Sequence, residues 1–325
     1  MSNPRHKPTI CLVTPALADA NNGNWQTAHR WASMLATEYT IRLQARWDGE
    51  PADMLIALHA RRSAESIDAW SRQFPSRPLV VVLTGTDLYR DIATDASAQR
   101  SLVQAHCLVV LQELGGLALP ESVRSKSVVC FQSAATRRAR VKTKRHLRAL
   151  MVGHLREEKS PQTFFAVARA LRQRDDLVFD HIGAPLDPAL GTAARALMAK
   201  CPQYRWLGAQ SHRDTRERIA RAHVLVHTSQ MEGGAHVVLE AVCSGTPVLA
   251  SRIDGNVGML GADYAGYFEW NDVSALGELL QRCRDDEKFL ELLTKQCAAR
   301  AFLFALDREK STLRRIVEEV LQSQS

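Results

Sequence analysis

The sequence lacks any long hydrophobic run, since its longest uninterrupted apolar stretch, residues 301–306, has only six residues. A helix that spans a membrane needs about 20 apolar residues, so we expect no stable membrane insertion. Apolar residues 10–13, which precede Pro15, are too few for the core of a signal peptide. These absences predict a cytoplasmic protein.

Cysteine is sparse and has no metal-binding or redox spacing. The chain has seven cysteines, an odd number, and none of them forms a C-x-x-C pair. This pattern excludes a disulfide scaffold and favours reduced thiols that pack as small hydrophobic side chains. We therefore expect neither a structural metal nor a disulfide framework.

Positive charge exceeds negative charge, with 42 Lys and Arg against 35 Asp and Glu, a formal net charge of +7. Such an excess predicts anionic partners, among them nucleotides, phosphorylated small molecules and acidic membrane surfaces. Nucleic-acid binding normally adds an aromatic stacking surface or a recognition helix, and the sequence suggests neither, so no nucleic acid is expected. Residues 136–148 are rich in Arg and Lys. They are interpreted as a linker, with docking on acidic headgroups as the alternative.

Short runs of β-branched residues alternate with helical stretches along the chain. This rhythm is typical of parallel sheets with crossover helices, and it occurs twice, before and after the basic linker. We predict an α/β fold of two Rossmann-like, doubly wound lobes facing a central cleft. The predicted boundaries are 1–140 for the N-terminal lobe, 141–305 for the C-terminal lobe and 306–325 for a C-terminal helix that packs back on the first lobe.

The segment 229–251 carries the most specific chemical pattern, SQMEGGAHVVLEAVCSGTPVLAS. Gly233 and Gly234 lack a Cβ, so the backbone amides at the start of the next helix can approach an anion closely. Glu240 lies eight residues after Glu232, about two helical turns along. A carboxylate in that place can accept paired hydrogen bonds from ribose hydroxyls.

This segment resembles the Glu-x7-Glu signature of the retaining GT-B glycosyltransferases of family 4. The resemblance implies that Glu232 contacts the hydroxyls of a donor sugar and that Glu240 holds the nucleotide ribose. It also implies donor binding by the residues between the two glutamates, namely Gly233, Gly234, Ala235 and His236.

A second stretch, MVGHLREEKS at 151–160, resembles the family motif whose Arg and Lys bind the donor diphosphate. Lys159 matches the lysine of that motif. His154 replaces the usual arginine, and Arg156 is a candidate to supply the lost charge. Ser160 stands where the motif ends in glycine.

The first strand and the loop after it resemble the N-terminal glycine loop of the family, which implies donor contacts at Gly23 and Asn24. No D-x-D motif occurs in the sequence, although it often carries a metal in enzymes that use nucleotide sugars. Fixed positive groups are then expected to stabilise the departing diphosphate, without a metal or another cofactor.

The first lobe departs from the family where many members carry a His-Asp pair. Thr86 and Asp87 stand there instead, within VVVLTGTDLYRD at 80–91, which removes one candidate general base. An acceptor that is already ionised needs no such base. Thr86 and Asp87 join four other candidates for acceptor binding in the predicted site, namely Arg30, His59, Arg61 and Thr84.

Segments at 23–31, 57–64, 84–89, 152–156 and 232–236 together resemble the selenosugar synthases of selenoneine biosynthesis. The resemblance implies that selenophosphate attacks UDP-N-acetylglucosamine or UDP-glucose, forming a carbon–selenium bond and releasing UDP and phosphate. Two alternatives remain open: a family 4 enzyme acting on a lipid or sugar hydroxyl, and a non-catalytic protein that binds nucleotide sugars or nucleic acid.

Overall fold

The computed structural model describes residues 7–15 and 23–323, which divide into two compact units. The first unit runs to Gln132 and resumes at Leu306, and the second comprises Ser133–Ala305. Residue 140, the boundary expected from the sequence, thus lies within the second unit. Most of the predicted N-terminal glycine loop, residues 16–22, lies outside the described residues.

The first unit contains one six-stranded, fully parallel sheet in the order β2-β1-β3-β4-β5-β6. Its strands are β1 Thr9–Val13, β2 Thr40–Gln44, β3 Met54–Leu58, β4 Leu79–Val82, β5 Cys107–Val110 and β6 Ser127–Val129. Its helices are α1 Gly23–Leu35, α2 Ala64–Gln73, α3 Ile92–Thr94, α4 Ala96–Gln104 and α5 Glu121–Arg124.

The second unit repeats this arrangement with a parallel sheet in the order β12-β11-β10-β7-β8-β9. Its strands are β7 Leu147–Val152, β8 Leu177–Ile182, β9 Tyr204–Trp206, β10 Val224–His227, β11 Val248–Ser251 and β12 Tyr267–Phe268. Its helices are α6 Pro161–Ala170, α7 Pro188–Lys200, α8 His212–Arg221, α9 His236–Val242, α10 Asp254–Leu260, α11 Val273–Asp285 and α12 Glu287–Arg300.

The strand sequences explain why both sheets are parallel and covered on both faces. The strands β3, β4 and β5 read MLIAL, LVVV and CLVV, and every residue in them is buried. Continuous apolar runs of this kind are typical of strands that helices cover from both sides, whereas a half-exposed strand alternates apolar with polar residues. The doubly wound α/β fold predicted for each half is therefore confirmed.

The last helix, α13 Leu306–Gln322, belongs to the first unit although the second unit separates it in sequence. Leu313, Ile316 and Val317 join the core that contains residues of α1 and β1. A polar contact fixes the same helix, because the buried carboxylate of Glu309 accepts hydrogen bonds from Arg30 Nε at 2.9 Å and Trp31 Nε1 at 2.8 Å.

Among residues 7–15 and 23–323, no helix is both long enough and apolar enough to cross a lipid bilayer. The seven cysteines, all within these ranges, are buried and free, so the expectation of unpaired cysteines in the core is confirmed.

The Glu309 pairing gives a stability prediction. We expect Glu309→Ala to lower the free energy of unfolding by about 3 kcal/mol, because Arg30 and the Trp31 indole lose the buried acceptor that they share. Glu319→Ala, on the same helix but in an exposed pair with Arg315, should cost about 0.5 kcal/mol or less. Denaturant unfolding of both variants measures the difference, and equal losses would contradict the assignment.

Candidate functional site

Two loops at the carboxyl edge of the second sheet bring a lysine and a glutamate together. The loop after β7 carries Lys159, and the loop after β10 carries Glu232. The two loops are joined directly, because Thr228 Oγ1 donates to the Lys159 carbonyl at 2.7 Å and the Gln230 amide donates to the Glu158 carbonyl at 2.9 Å. As a result, Lys159 Nζ lies 2.5 Å from Glu232 Oε1.

The Glu232 carboxylate is largely enclosed but stays ionised. Burial alone would raise its pKa, yet the Lys159 ammonium and a contact with His227 outweigh that effect and hold the pKa well below its usual range. His227 Nε2 lies 3.3 Å from Glu232 Oε1. The arrangement therefore presents a fixed negative charge, with a cation beside it, to the space at this edge of the sheet.

Glu240 lies in α9 and is surrounded by three basic side chains. Its Oε1 is 2.6 Å from His212 Nε2, 3.3 Å from His236 Nδ1 and 3.6 Å from Arg216 Nη1. Burial opposes ionisation, but hydrogen bonds from the two histidines and the Arg216 charge prevail, so the pKa of Glu240 falls to about 2. Because the His212 side chain is 67% exposed, it covers the carboxylate from the solvent side.

The turn between these glutamates leads into α9, which begins after Ala235 without a side-chain cap. Gly233 and Gly234 form the bend before it. The first amides of a helix have no partner within the helix and interact well with anions. Gly255 of α10 lets the backbone of Glu232 pass close to it, since a Cβ at Gly255 would lie only 2.0 Å from the Glu232 carbonyl oxygen.

The loop 153–160 carries the other predicted diphosphate residues. His154 Nδ1 accepts the Ala184 amide at 3.0 Å, which leaves the proton of the neutral ring on Nε2, and burial lowers the pKa of His154. Arg156 has a distant carboxylate neighbour, with its Nε 3.9 Å from Glu158 Oε2. His154 thus offers a neutral donor where the family motif has a permanent cation.

The backbone conformation of Ser160 explains why the family motif has glycine at this position, because its φ of 44° lies in the left-handed region that favours glycine. Its hydroxyl accepts the Trp270 indole N–H at 3.0 Å. This bond fixes a serine in a conformation that costs it about 1–2 kcal/mol relative to glycine.

In the first unit, the predicted acceptor residues after β3 and β4 form one network around Asp87. The Asp87 carboxylate accepts the backbone amides of Thr84, Gly85 and Ala60 at 2.9, 3.0 and 3.0 Å. These bonds occupy both oxygens and join the two loops. Asp87 is therefore a positioning residue in this structure, and its direct contact with an acceptor stays a prediction.

His59 is the buried centre of the same network and has a φ of 71°. Its Nε2 lies 3.2 Å from Thr86 Oγ1, and its Nδ1 accepts the Arg62 amide at 3.3 Å. Burial lowers the pKa of His59, although Asp87 opposes this shift. The ring is thus a neutral group held against the Thr86 hydroxyl.

The structure gives two predicted phosphate-binding arginines other partners. Arg30 is paired with Glu309 of α13, and Arg61 Nε donates to Asp91 at 2.7 Å. Arg61 keeps 39% of its side chain exposed, so it retains free surface, whereas only 19% of Arg30 is exposed. Gly23 and Asn24 lie in the first turn of α1 rather than in a loop. Ligand contacts of these four residues stay predictions.

Sequence reasoning missed His227, which contacts Glu232, and it missed His212 and Arg216, which contact Glu240. His227 is the last residue of β10 and comes just before the signature segment, so its position could have suggested it. His212 and Arg216 begin a different helix, and no local pattern links them to Glu240. In the described part of the chain, no group of three or more His, Cys, Asp or Glu side chains is arranged to hold a metal ion.

Comparison with known families supports the pattern in the second unit. The family described as Glycosyl transferases group 1 matches residues 132–300, just over half of the chain. The chain belongs to this family. The matched range includes Lys159, Glu232 and Glu240, and it covers nearly all of the second unit.

Among curated proteins, D-inositol 3-phosphate glycosyltransferase of Salinispora arenicola is 27% identical over 281 residues, which are 83% of this chain and 55% of that protein. The chain thus spans about half the length of this relative. Among solved structures, sucrose-phosphate synthase of Thermosynechococcus elongatus superposes with a TM-score of 0.78 at 15% identity, covering 97% of this chain and all of that one. Anabaena HepE, solved with UDP and glucose, gives 0.72 at 14% identity, with the same coverage. These likenesses show that the fold is GT-B.

The depressed pKa of Glu240 gives a pH-dependent prediction. A carboxyl whose pKa falls from 4.5 to about 2 on folding contributes stability above pH 4.5, and this contribution disappears as the pH falls towards 2. We expect Glu240→Gln to reduce the free energy of unfolding by about 3 kcal/mol at pH 7, and the gap between variant and parent to narrow below pH 4.5. Denaturant unfolding between pH 7 and pH 3 measures it. A gap of constant size would contradict the assigned ion pairs.

Proposed function

We propose that this chain is a glycosyltransferase that takes a sugar from UDP-N-acetylglucosamine or UDP-glucose and transfers it to selenophosphate. The observation that carries the proposal is the Lys159–Glu232 contact of 2.5 Å, at the sheet edge where open α/β folds bind ligands. Family membership supports transfer of a sugar, and the complex of HepE with UDP-glucose supports the nucleotide.

The donor diphosphate is assigned to the positive groups around the loop 153–160. Lys159 supplies the permanent charge, His154 Nε2–H supplies a neutral donor, and Arg156 lies close in sequence with only a weak carboxylate partner. The uncapped start of α9 adds backbone amides from Ala235 onwards. Donors fixed in place stabilise the charge that develops on the departing UDP without reorganising at that moment.

The two glutamates are assigned to hydroxyl groups of the donor. Glu232 accepts from the sugar and Glu240 from the ribose, because an ionised carboxylate is an acceptor only and can take paired O–H donors. His236 is the first residue of α9. It lies beside the Glu240 carboxylate and directly follows the turn that contains Gly233 and Gly234, which supports a contact with the donor there as well.

The acceptor is assigned to the first unit, and the state of Asp87 supports an ionised nucleophile. Three backbone amides already bind that carboxylate, and His59 is buried against Thr86, so neither group stands ready as a base. Arg61, with 39% of its side chain exposed, is the best placed of the predicted cations to hold the acceptor phosphate. Thr84 and Thr86 add hydroxyl donors.

The proposed reaction has two steps, each of which forms one bond and breaks another, and it uses one water. Selenium attacks the anomeric carbon, the C–Se bond forms, and the bond from that carbon to the UDP oxygen breaks with its electron pair leaving on UDP. Water then attacks phosphorus, which breaks the P–Se bond and releases phosphate and the selenosugar. Positioning and charge stabilisation carry the first step, since the nucleophile needs no deprotonation.

A second candidate is transfer to the hydroxyl of a phosphorylated polyol. The observation that favours it is the 27% identity to D-inositol 3-phosphate glycosyltransferase over most of this chain. A hydroxyl acceptor needs a base, and His59 would have to serve as that base after its bond to Thr86 is exchanged for the acceptor.

One incubation separates these functions. The protein is mixed with UDP-N-acetylglucosamine or UDP-glucose and with either selenophosphate or inositol phosphate, and the products are identified by mass spectrometry. We expect a selenosugar and free UDP. A glycosylated inositol phosphate alone would establish the second candidate, and UDP-sugar binding without any turnover would reduce the protein to a nucleotide-sugar binder.

The role of Lys159 is tested with Lys159→Met, which keeps the bulk of the side chain and removes its charge. We expect kcat to fall about 10²–10³-fold, because one fixed donor to the departing diphosphate is lost. Lys200→Met, at the exposed end of α7, should leave kcat unchanged. Circular dichroism verifies that both variants fold. Equal rates in both would remove Lys159 from the diphosphate site.

A further inference from the structure

A basic pocket lies at the edge of the second sheet that is opposite the candidate donor site. Arg148 is the second residue of β7, whereas the loop with Lys159 follows the last residue of that strand. His223 immediately precedes β10, which runs parallel to β7. A six-residue strand is about 20 Å long, so the two sites lie far apart along the same strand.

The pocket has a volume of about 490 Å³, and its polar wall consists almost wholly of basic groups. The basic residues that line it are Arg140, Lys142, His146, Arg148, Arg221 and His223. No acidic side chain lines it. A space of this size is large enough for a small molecule with several charged groups.

The nearby carboxylates neutralise only part of this charge. Glu217 is shared, at 3.3 Å from Arg140 Nη2 and 2.8 Å from Arg221 Nε. Asp180 is bound at 2.7 Å by Arg205, and Arg148 Nε stays 3.6 Å away from it. The four Lys and Arg side chains that line the pocket therefore share two carboxylates, and Arg137 and Arg205, which do not line it, also bind these two carboxylates.

Two of the lining cations are incompletely partnered within the described residues, although Arg148 keeps its longer ion pair with Asp180. Arg148 Nε is buried without a hydrogen bond. Lys142 has no hydrogen bond or ion pair with any residue in the described ranges, and burial lowers its pKa to about 8. Both residues are half-buried, and an anion in the pocket would supply the missing partner.

The wall of the pocket is held in place by a neutral histidine. His223 Nδ1 accepts the Arg148 amide at 2.9 Å, and His223 Nε2 donates to the Thr143 carbonyl at 2.8 Å. Both ring nitrogens are thus used to tie the linker to the edge of the sheet. Fixing Thr143, the residue after Lys142, reduces the entropy that binding would otherwise cost.

We propose that this pocket binds a small soluble anion with two or more phosphate groups, such as an oligophosphate or the phosphate chain of a nucleotide. Arg140, Lys142 and Arg148 are the residues that bind it. Several converging cations match several phosphate groups better than they match one, because each guanidinium or ammonium can bind a separate phosphate oxygen.

The shape and the polarity favour a soluble anion over a membrane surface. A bilayer meets a protein on a broad face where basic residues accompany buried aromatic or aliphatic side chains. Here the cations line a concavity, and the pocket wall includes a single large apolar residue, Val141, and no Trp or Phe.

The test uses pyrophosphate as the probe, titrated into the protein by isothermal calorimetry. The titrations are made in the Lys159→Met background, so that the candidate donor site contributes least and the result does not depend on the proposed reaction. Three further variants are compared, Lys142→Gln, Lys142→Arg and Lys144→Gln. Lys144 is the matched control, since it lies in the same linker, is 94% exposed and does not line the pocket.

We expect Lys142→Gln to weaken pyrophosphate binding about tenfold or more, while Lys142→Arg and Lys144→Gln stay within about threefold of the parent. Thermal unfolding verifies that each variant is folded. Equal weakening by Lys142→Gln and Lys144→Gln would overturn the proposal, because it would indicate diffuse attraction to the linker. Absence of pyrophosphate binding, with retention only on phosphatidylglycerol vesicles, would overturn it as well.

Discussion

The ion pair between Lys159 and Glu232 is the interaction on which the candidate site depends. Each partner would be costly to bury alone, because an isolated charge loses its hydration in the protein interior. Two hydrogen bonds between the loops after β7 and β10 bring the partners to 2.5 Å, so each charge compensates the other. The pair therefore keeps a carboxylate and an ammonium side by side at neutral pH, ready for a ligand that carries both hydroxyl and phosphate groups.

The charge of Glu240 is also compensated by basic neighbours, but these are an arginine and histidines instead of a lysine. Its neighbours are Arg216, which is buried, and two histidines, of which His212 is mostly exposed. The buried Arg216 lies beside the carboxylate on the protein side, and the exposed His212 ring lies on the solvent side. The second unit thus holds two ionised carboxylates, Glu232 beside a lysine and Glu240 beside an arginine and two histidines.

In the first unit, the buried carboxylates of Asp87 and Glu309 hold structural elements together. Asp87 joins the loops after β3 and β4 through three backbone amides, and Glu309 fastens the last helix to α1. Both carboxylates are buried and occupied. Arg61 keeps 39% of its side chain exposed, which is why the proposed contact with an anionic acceptor is placed there.

Local sequence was sufficient for the strands, because parallel strands covered on both faces must be continuous apolar runs. The alternation of β-branched runs with helical stretches predicted both parallel sheets, while β12, with two residues, gave no pattern to detect. The spacing of Lys159, Glu232 and Glu240 was also visible in the sequence.

Tertiary structure alone decided which charges meet. Arg30 was expected to bind phosphate, but a helix that begins at Leu306 supplies Glu309 as its partner. His212 and Arg216 of α8 contact Glu240 of α9. Gly255 of α10 lets the backbone of Glu232 lie close to it. Periodicity records which face of an element is buried. Electrostatic pairing depends instead on distances of about 3 Å between residues far apart in the chain, and only the folded chain sets those distances.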